Sequence, residues 1–160
     1  MSKFGHRIAS AVALSLWLGL IFYMSAQNGT ESSKLSDFLA ALWPFGNEGE
    51  GPDEESLERI TLLIRKGAHM FEFAVLVVLC LRFIRVWTSF SMRRSIVIAF
   101  LFTVCYAASD EFHQTFVEGR CGTPVDVLID SAGALIALLT VMLILAVKKR
   151  KSKGKEKVAA

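Results

Sequence analysis

Between Tyr106 and Gly133 the chain reads YAASDEFHQTFVEGRCGTPVDVLIDSAG, which sets Asp110, Glu111, His113, Gln114, Arg120, Asp126 and Asp130 at the junction of two long apolar runs. A second polar set, Arg65, Lys66, His69 and Glu72, stands at the head of another apolar run. Ionisable side chains inside a membrane cost on the order of 2.5–3.5 kcal/mol each at the bilayer centre and less towards its surface. A chain that needed only to span would leave them out, so their presence points to a working site.

Three kinds of chemistry suit these residue types. His69, Glu72, Asp110, Glu111, His113, Asp126 and Asp130 supply nitrogen and oxygen donors for a metal ion, although their spacing is not diagnostic and HExxH is absent. Arg120, Lys66 and Arg65 are suited to holding a phosphate while His113 or His69 works beside a carboxylate, which is acid–base or phosphoryl chemistry on a lipid-linked substrate. The third is binding without catalysis, in a polar pocket that recognises a headgroup or a peptide. No cysteine or serine stands in a recognisable nucleophile setting, and there is no glycine-rich phosphate loop.

The elements that position these residues follow from hydropathy. The 160-residue chain is 53% hydrophobic, with a mean hydropathy of +0.47, too apolar for an ordinary soluble domain. Crossing a hydrocarbon core takes about 20 helical residues. Four runs reach that length, 8–26, 67–86, 95–113 and 125–147. The expected fold is all-α, a polytopic membrane protein with four transmembrane helices forming one domain over residues 1–147, followed by a basic cytoplasmic tail over 148–160. The first run reads as an uncleaved anchor, because Met24-Ser25-Ala26 is a poor cleavage site. Cys80 and Cys105 read as small packing residues, and Cys121 is a lone thiol near a loop, so no disulfide framework is expected.

The net charge of +3 hides an asymmetry. Lys3 and Arg7, then Arg82, Arg85, Arg93 and Arg94, then the seven basic residues from Lys148 to Lys157 flank the same ends of the helices. The positive-inside rule places both termini in the cytoplasm and the acidic first connection, Glu31 to Glu58, outside. The basic tail is a flank beside anionic lipid rather than a nucleic-acid arm. In the outer connection Leu35, Phe38, Leu39 and Leu42 recur at helical spacing and Trp43 follows, which predicts a short amphipathic helix along the membrane surface. Pro52 then suits the first turn of a new helix, with Asp53, Glu54 and Glu55 near its positive end.

On this topology the polar groups converge. Lys66, His69 and Glu72 share a face, with Glu72 about 8 Å from the outer end of a helix that begins near Gly67. Tyr106, Asp110, His113 and Gln114 share another face, while Glu111 turns to a different neighbour. Gly119 permits a turn beside Arg120, Pro124 opens the last helix, and Asp126, Asp130 and Gly133 line one side of it. A purely structural account competes. In it Asp126 caps its helix, Arg120 pairs with Asp126 or Asp130, and His69 hydrogen-bonds Asp110 or Glu72. The inner halves of the helices are nearly uncharged, which argues against a transport path through a monomer.

The blocks RKGAHMFEF (65–73), YAASDEFHQTFVEGR (106–120) and DVLIDSAG (126–133), together with FYMSAQNG (22–29), resemble the signature sequences of the VanZ-like membrane proteins. The resemblance runs over about residues 8–145. It implies a small protein of the bacterial cytoplasmic membrane, in a family whose named member is associated with low-level resistance to teicoplanin, a lipoglycopeptide that acts on cell-wall precursors outside the membrane. Lys66, His69, Glu72, Asp110, Glu111, His113, Gln114, Arg120, Asp126 and Asp130 carry over as signature residues without assigned roles. The leading expectation is an outward polar pocket that engages an anionic or lipid-linked envelope component. The partners are then the lipid bilayer and a lipid-linked cell-wall precursor or lipoglycopeptide. The rival is a membrane-embedded enzyme, metal-assisted in one version, acting on such a lipid.

Overall fold

The computed structural model describes residues 2–28, 38 and 53–159. These form four helices, α1 (Lys3–Ala26), α2 (Glu54–Trp87), α3 (Met92–Gln114) and α4 (Pro124–Ala159). The helix ends are set by local chemistry. Ser2, Asp53 and Ser91 each take an extended backbone and accept a hydrogen bond from the N–H three residues on, so they cap α1, α2 and α3. At the start of α4 the Thr123 hydroxyl accepts from Asp126 N at 3.2 Å and donates to the Asp126 carboxylate at 2.8 Å. Pro124 therefore sits at the first helical position, as expected. Asp53 is the cap of α2 itself, while Pro52 and the proposed surface helix around Leu35, Leu39, Leu42 and Trp43 lie outside the described residues. Phe38 alone of that segment is described, helical and exposed.

Each helix outruns the apolar run that announced it. The hydrogen-bonded ladder stops where capping stops it, and good helix formers such as Glu, Arg, Lys and Ala extend it past the hydrophobic boundary. Thus α2 begins at Glu54 rather than near Gly67, which leaves Glu72 about 27 Å along its helix. The depth of the polar residues is set instead by the ends of α1 and α3 and the start of α4. At its other end α4 continues through the basic segment to Ala159.

The centre of the bundle is α2, which packs against all three other helices and most extensively against α4. Its Phe73, Leu76, Val77, Cys80, Leu81 and Ile84 form the middle of the core. Facing it, α3 presents Ser95, Ala99, Thr103 and Ala107, one small residue every four, all fully buried. Small residues at that spacing let backbones approach closely without lipid between them. Ser95 and Thr103 satisfy their hydroxyls on the carbonyls four residues earlier. On α4, Gly133 is closer still, since a Cβ there would stand 2.3 Å from the Met70 carbonyl oxygen of α2. The expected close approach at Gly133 is present.

The outer surface of the bundle is apolar. Phe4, Val12, Leu16, Phe22 and Tyr23 on α1, Val97 and Leu101 on α3, and Leu135, Leu139 and Leu143 on α4 are exposed. Cys105 joins that exterior, contrary to its expected packing role, because it lies off the small-residue stripe; Cys80 is buried, and all three thiols are free. Among the described residues α1, α3 and Pro124–Ser152 of α4 are long and apolar enough to cross a membrane. An exposed apolar surface of this extent is a liability in water and a requirement in lipid. The helices are those of a membrane protein.

Candidate functional site

At one end of the bundle the last turn of α1, the last turns of α3, the loop 115–123 and the first turns of α4 surround α2 near Lys66 and His69. The loop is tight. Gly119 adopts φ 72°, a left-handed backbone that favours glycine. A Cβ at Gly122 would lie 1.8 Å from the Glu111 carbonyl oxygen, so only glycine lets the loop press on α3 there. The result is a cavity of about 180 Å³. It takes in seven of the ten candidate residues, Lys66, His69, Glu111, Gln114, Arg120, Asp126 and Asp130, together with Arg65 and Cys121.

The remaining three stand outside its lining. Asp110 is buried one turn behind it and accepts a hydrogen bond from Gln114 Nε2 at 3.0 Å. Glu72 is half-buried, with a carboxylate oxygen 3.8 Å from His69 Nδ1. His113 turns the other way and packs on Phe22 of α1, ring centroids 4.9 Å apart. The face expected to hold Tyr106, Asp110, His113 and Gln114 together is thus divided between α1 and the cavity. Tyr106 likewise serves α1, donating to the Leu18 carbonyl at 2.8 Å, and Trp17 donates back to the Glu72 carbonyl of α2 at 2.9 Å.

Cation partners differ from the expected ones. Arg120 pairs with neither Asp126 nor Asp130. Its guanidinium donates to the Met24 and Gln27 carbonyls at 3.0 and 3.2 Å and to Gln114 Oε1 at 3.4 Å. The carbonyls left open at the end of α1 need donors, and a five-donor fork reaches two of them at once. These acceptors are uncharged, so among the described residues no carboxylate lies within ion-pair distance of Arg120. Burial, and next the neighbouring Arg65 charge, hold its pKa below the ordinary guanidinium value, yet arginine stays ionised. It is Lys66 that reaches Asp126, at 3.0 Å, and so ties α2 to α4. Both partners are partly exposed, at 40% and 29%, so this link is worth about 1 kcal/mol or less.

The acids fall into two groups. Glu111, as expected, faces a different neighbour from Asp110; its carboxylate accepts from Thr123 N at 3.0 Å and from Gln114 Nε2 at 3.3 Å. Asp126 is held by Lys66 and Thr123. Asp130, 1% exposed, has no hydrogen-bond partner on either carboxylate oxygen. His69 Nδ1 is also buried without a hydrogen bond, so the expected bond from His69 to Asp110 or Glu72 is not made. Among the described residues no group of three His, Cys, Asp and Glu side chains is placed to hold a metal ion. Sequence reasoning left Thr123 and the Met24 and Gln27 carbonyls unassigned. The Thr-Pro-x-Asp spacing could have marked Thr123 as a cap, whereas backbone acceptors carry no side-chain signal.

A bundle with lipid-compatible walls and a polar cavity at the helix ends is the architecture of an all-α membrane protein. The chain belongs to the VanZ family, since the VanZ/LLP1 family model matches residues 10–145. No curated protein and no solved structure matches it.

Proposed function

We propose that this VanZ-family protein binds the phosphate of an anionic or lipid-linked envelope component in the cavity beside Arg120. In this reading all four helices cross the bacterial cytoplasmic membrane. Supporting the fourth crossing, α2 is central to the bundle and at about 51 Å exceeds the hydrocarbon thickness. Supporting the orientation, the basic ends gather opposite the cavity, where Arg7 lies over Trp87 and Arg94 over Phe90. Both termini are then cytoplasmic and the cavity opens outward.

The observation that carries the proposal is the charge state of the cavity rim. Arg65 makes no hydrogen bond or ion pair among the described residues, and Arg120 spends its donors on neutral oxygens. Two guanidinium groups without an ion-pair partner among the described residues therefore face one polar cavity, which Glu111, Asp126 and Asp130 line as well, and Lys66 beside them is paired with Asp126. An anion there gains charge-assisted hydrogen bonds in a low-dielectric setting. Occupancy of a cell-wall lipid by this site lowers susceptibility to lipoglycopeptides such as teicoplanin. The enzymatic alternative, hydrolysis of such a lipid, has the acids for acid–base work, but the geometry singles out no nucleophile.

The test is titration of delipidated protein with a short-chain lipid phosphate and with the same lipid ending in a hydroxyl. The phosphate should bind and the neutral lipid should not, and Arg65→Ala should weaken binding about tenfold or more, the low end of what an ionic hydrogen bond is worth. Equal binding of the two lipids would refute the proposal. In cells, Arg65→Ala at normal abundance should lose the change in teicoplanin susceptibility that the parent confers.

A further inference from the structure

The least explained group in the molecule is Asp130. Both of its carboxylate oxygens are unpartnered, it is 1% exposed, and it lines the cavity that Arg65 and Arg120 rim. A buried carboxylate with no partner is among the costliest arrangements a fold can hold, and structures keep such groups for something absent from the bare chain. His69 Nδ1, also buried and unpartnered, lines the same cavity. These two side chains come from α4 and α2, the most extensively packed helix pair.

Building on the phosphate reading above, we infer that the cavity takes a zwitterion, with phosphate at the guanidinium rim and a primary ammonium against Asp130. The stoichiometry fits. A primary ammonium has three donors; the cavity offers it the two unpartnered Asp130 oxygens, and His69 Nδ1 on the same lining is a third acceptor when that nitrogen carries no proton. A metal ion fits less well, because among the described residues no three His, Cys, Asp and Glu groups are placed around one point. The cavity volume, about 180 Å³, equals roughly six water molecules at about 30 Å³ each. That is room for a phosphate joined to a short amine. Phosphoethanolamine, free or as a lipid headgroup, has this chemistry.

The experiment is calorimetric titration of the delipidated protein with O-phosphoethanolamine, O-phosphocholine and glycerol 3-phosphate. Phosphoethanolamine should bind about tenfold or more tighter than glycerol 3-phosphate. Phosphocholine, which has no N–H donors, should lose most of that advantage. Asp130→Asn should erase the preference for phosphoethanolamine. Equal affinities for the three probes in the parent protein would overturn the ammonium assignment and leave the phosphate site standing, as would a preference that survives Asp130→Asn. If Asp130→Asn does not fold, the comparison of ethanolamine with choline in the parent protein decides alone. Failure of all three to bind, together with failure of the lipid phosphate above, would remove the phosphate reading and this inference with it. Tighter binding of short-chain phosphatidylethanolamine than of the soluble headgroup assigns the site to a lipid, and equal binding assigns it to the free phosphate ester.

Discussion

Gly133→Ala tests the packing on which the site depends. A Cβ at this position would sit 2.3 Å from the Met70 carbonyl oxygen, with two more Met70 backbone atoms at 2.9 Å. An ordinary nonbonded contact is about 3.5 Å, so the gap is short by about 1.2 Å. The obstacle is backbone on a buried helix, and no side chain can swing aside; α2 and α4 must separate. Overpacking of this kind costs about 1–3 kcal/mol, and a backbone clash belongs at the upper end. That is roughly a hundredfold in the folding equilibrium, at about 1.4 kcal/mol per tenfold. The separation also falls at the cavity, because Met70 adjoins His69 and Gly133 lies three residues from Asp130. Gly67→Ala is the control. Gly67 is exposed in the interior of α2 with nothing within 4 Å of a new Cβ, so alanine there should stabilise by about 0.5–1 kcal/mol through reduced backbone entropy. Unfolding of both variants in mixed micelles with increasing SDS, followed by far-ultraviolet circular dichroism, reads the difference. Equal stabilities for Gly133→Ala and Gly67→Ala would refute the close approach of α2 and α4.

Three further outcomes follow from the same geometry. Arg120→Gln should free the end of α1 and cost about 2–3 kcal/mol, the worth of one or two charge-assisted hydrogen bonds, with faster amide exchange confined to the last turn of α1; unchanged exchange there would contradict the clamp on Met24 and Gln27. Asp130→Asn should not destabilise the ligand-free protein, since neither carboxylate oxygen has a hydrogen-bond partner to lose; a loss of about 1 kcal/mol or more would mean that Asp130 has a partner. Hydrogen bonding to Ser56 holds the Asp53 pKa below 3.8, so its cap on α2 is fully formed at neutral pH and is lost as pH falls through that depressed value; Ser56 amide exchange relative to mid-helix amides should rise in acid in the parent and not in Asp53→Asn.

Much of this arrangement was legible in the chain because helical spacing fixes faces. Lys66 and His69 on one helix, and Asp126, Asp130 and Gly133 on another, needed only the right topology to meet. The place of Pro124 at the first helical position and the turn at Gly119 were legible for a related reason, since those residue types restrict or free the backbone. What stayed hidden depends on partners with no side-chain signature. Arg120 chose the carbonyls of Met24 and Gln27 over two acids of opposite charge, because a helix end offers fixed acceptors where the loop delivers it. His113 shares the spacing of Asp110 and Gln114 but sits where Phe22 is the nearer neighbour. The length of α2 was hidden as well, since hydropathy marks where lipid ends and not where hydrogen bonding ends.

The most direct test of the central claim uses Cys121, an exposed thiol that lines the cavity, with Cys105, exposed on the outside of α3, as an internal reference. The measurement is the rate of maleimide modification at each thiol in detergent-solubilised protein, read by peptide mass spectrometry with and without short-chain lipid phosphate. The account predicts slower modification at Cys121 alone, by about fivefold or more at saturation, with a neutral lipid giving no protection. Unchanged rates at Cys121 under a saturating lipid phosphate, or equal protection at Cys105, would contradict it.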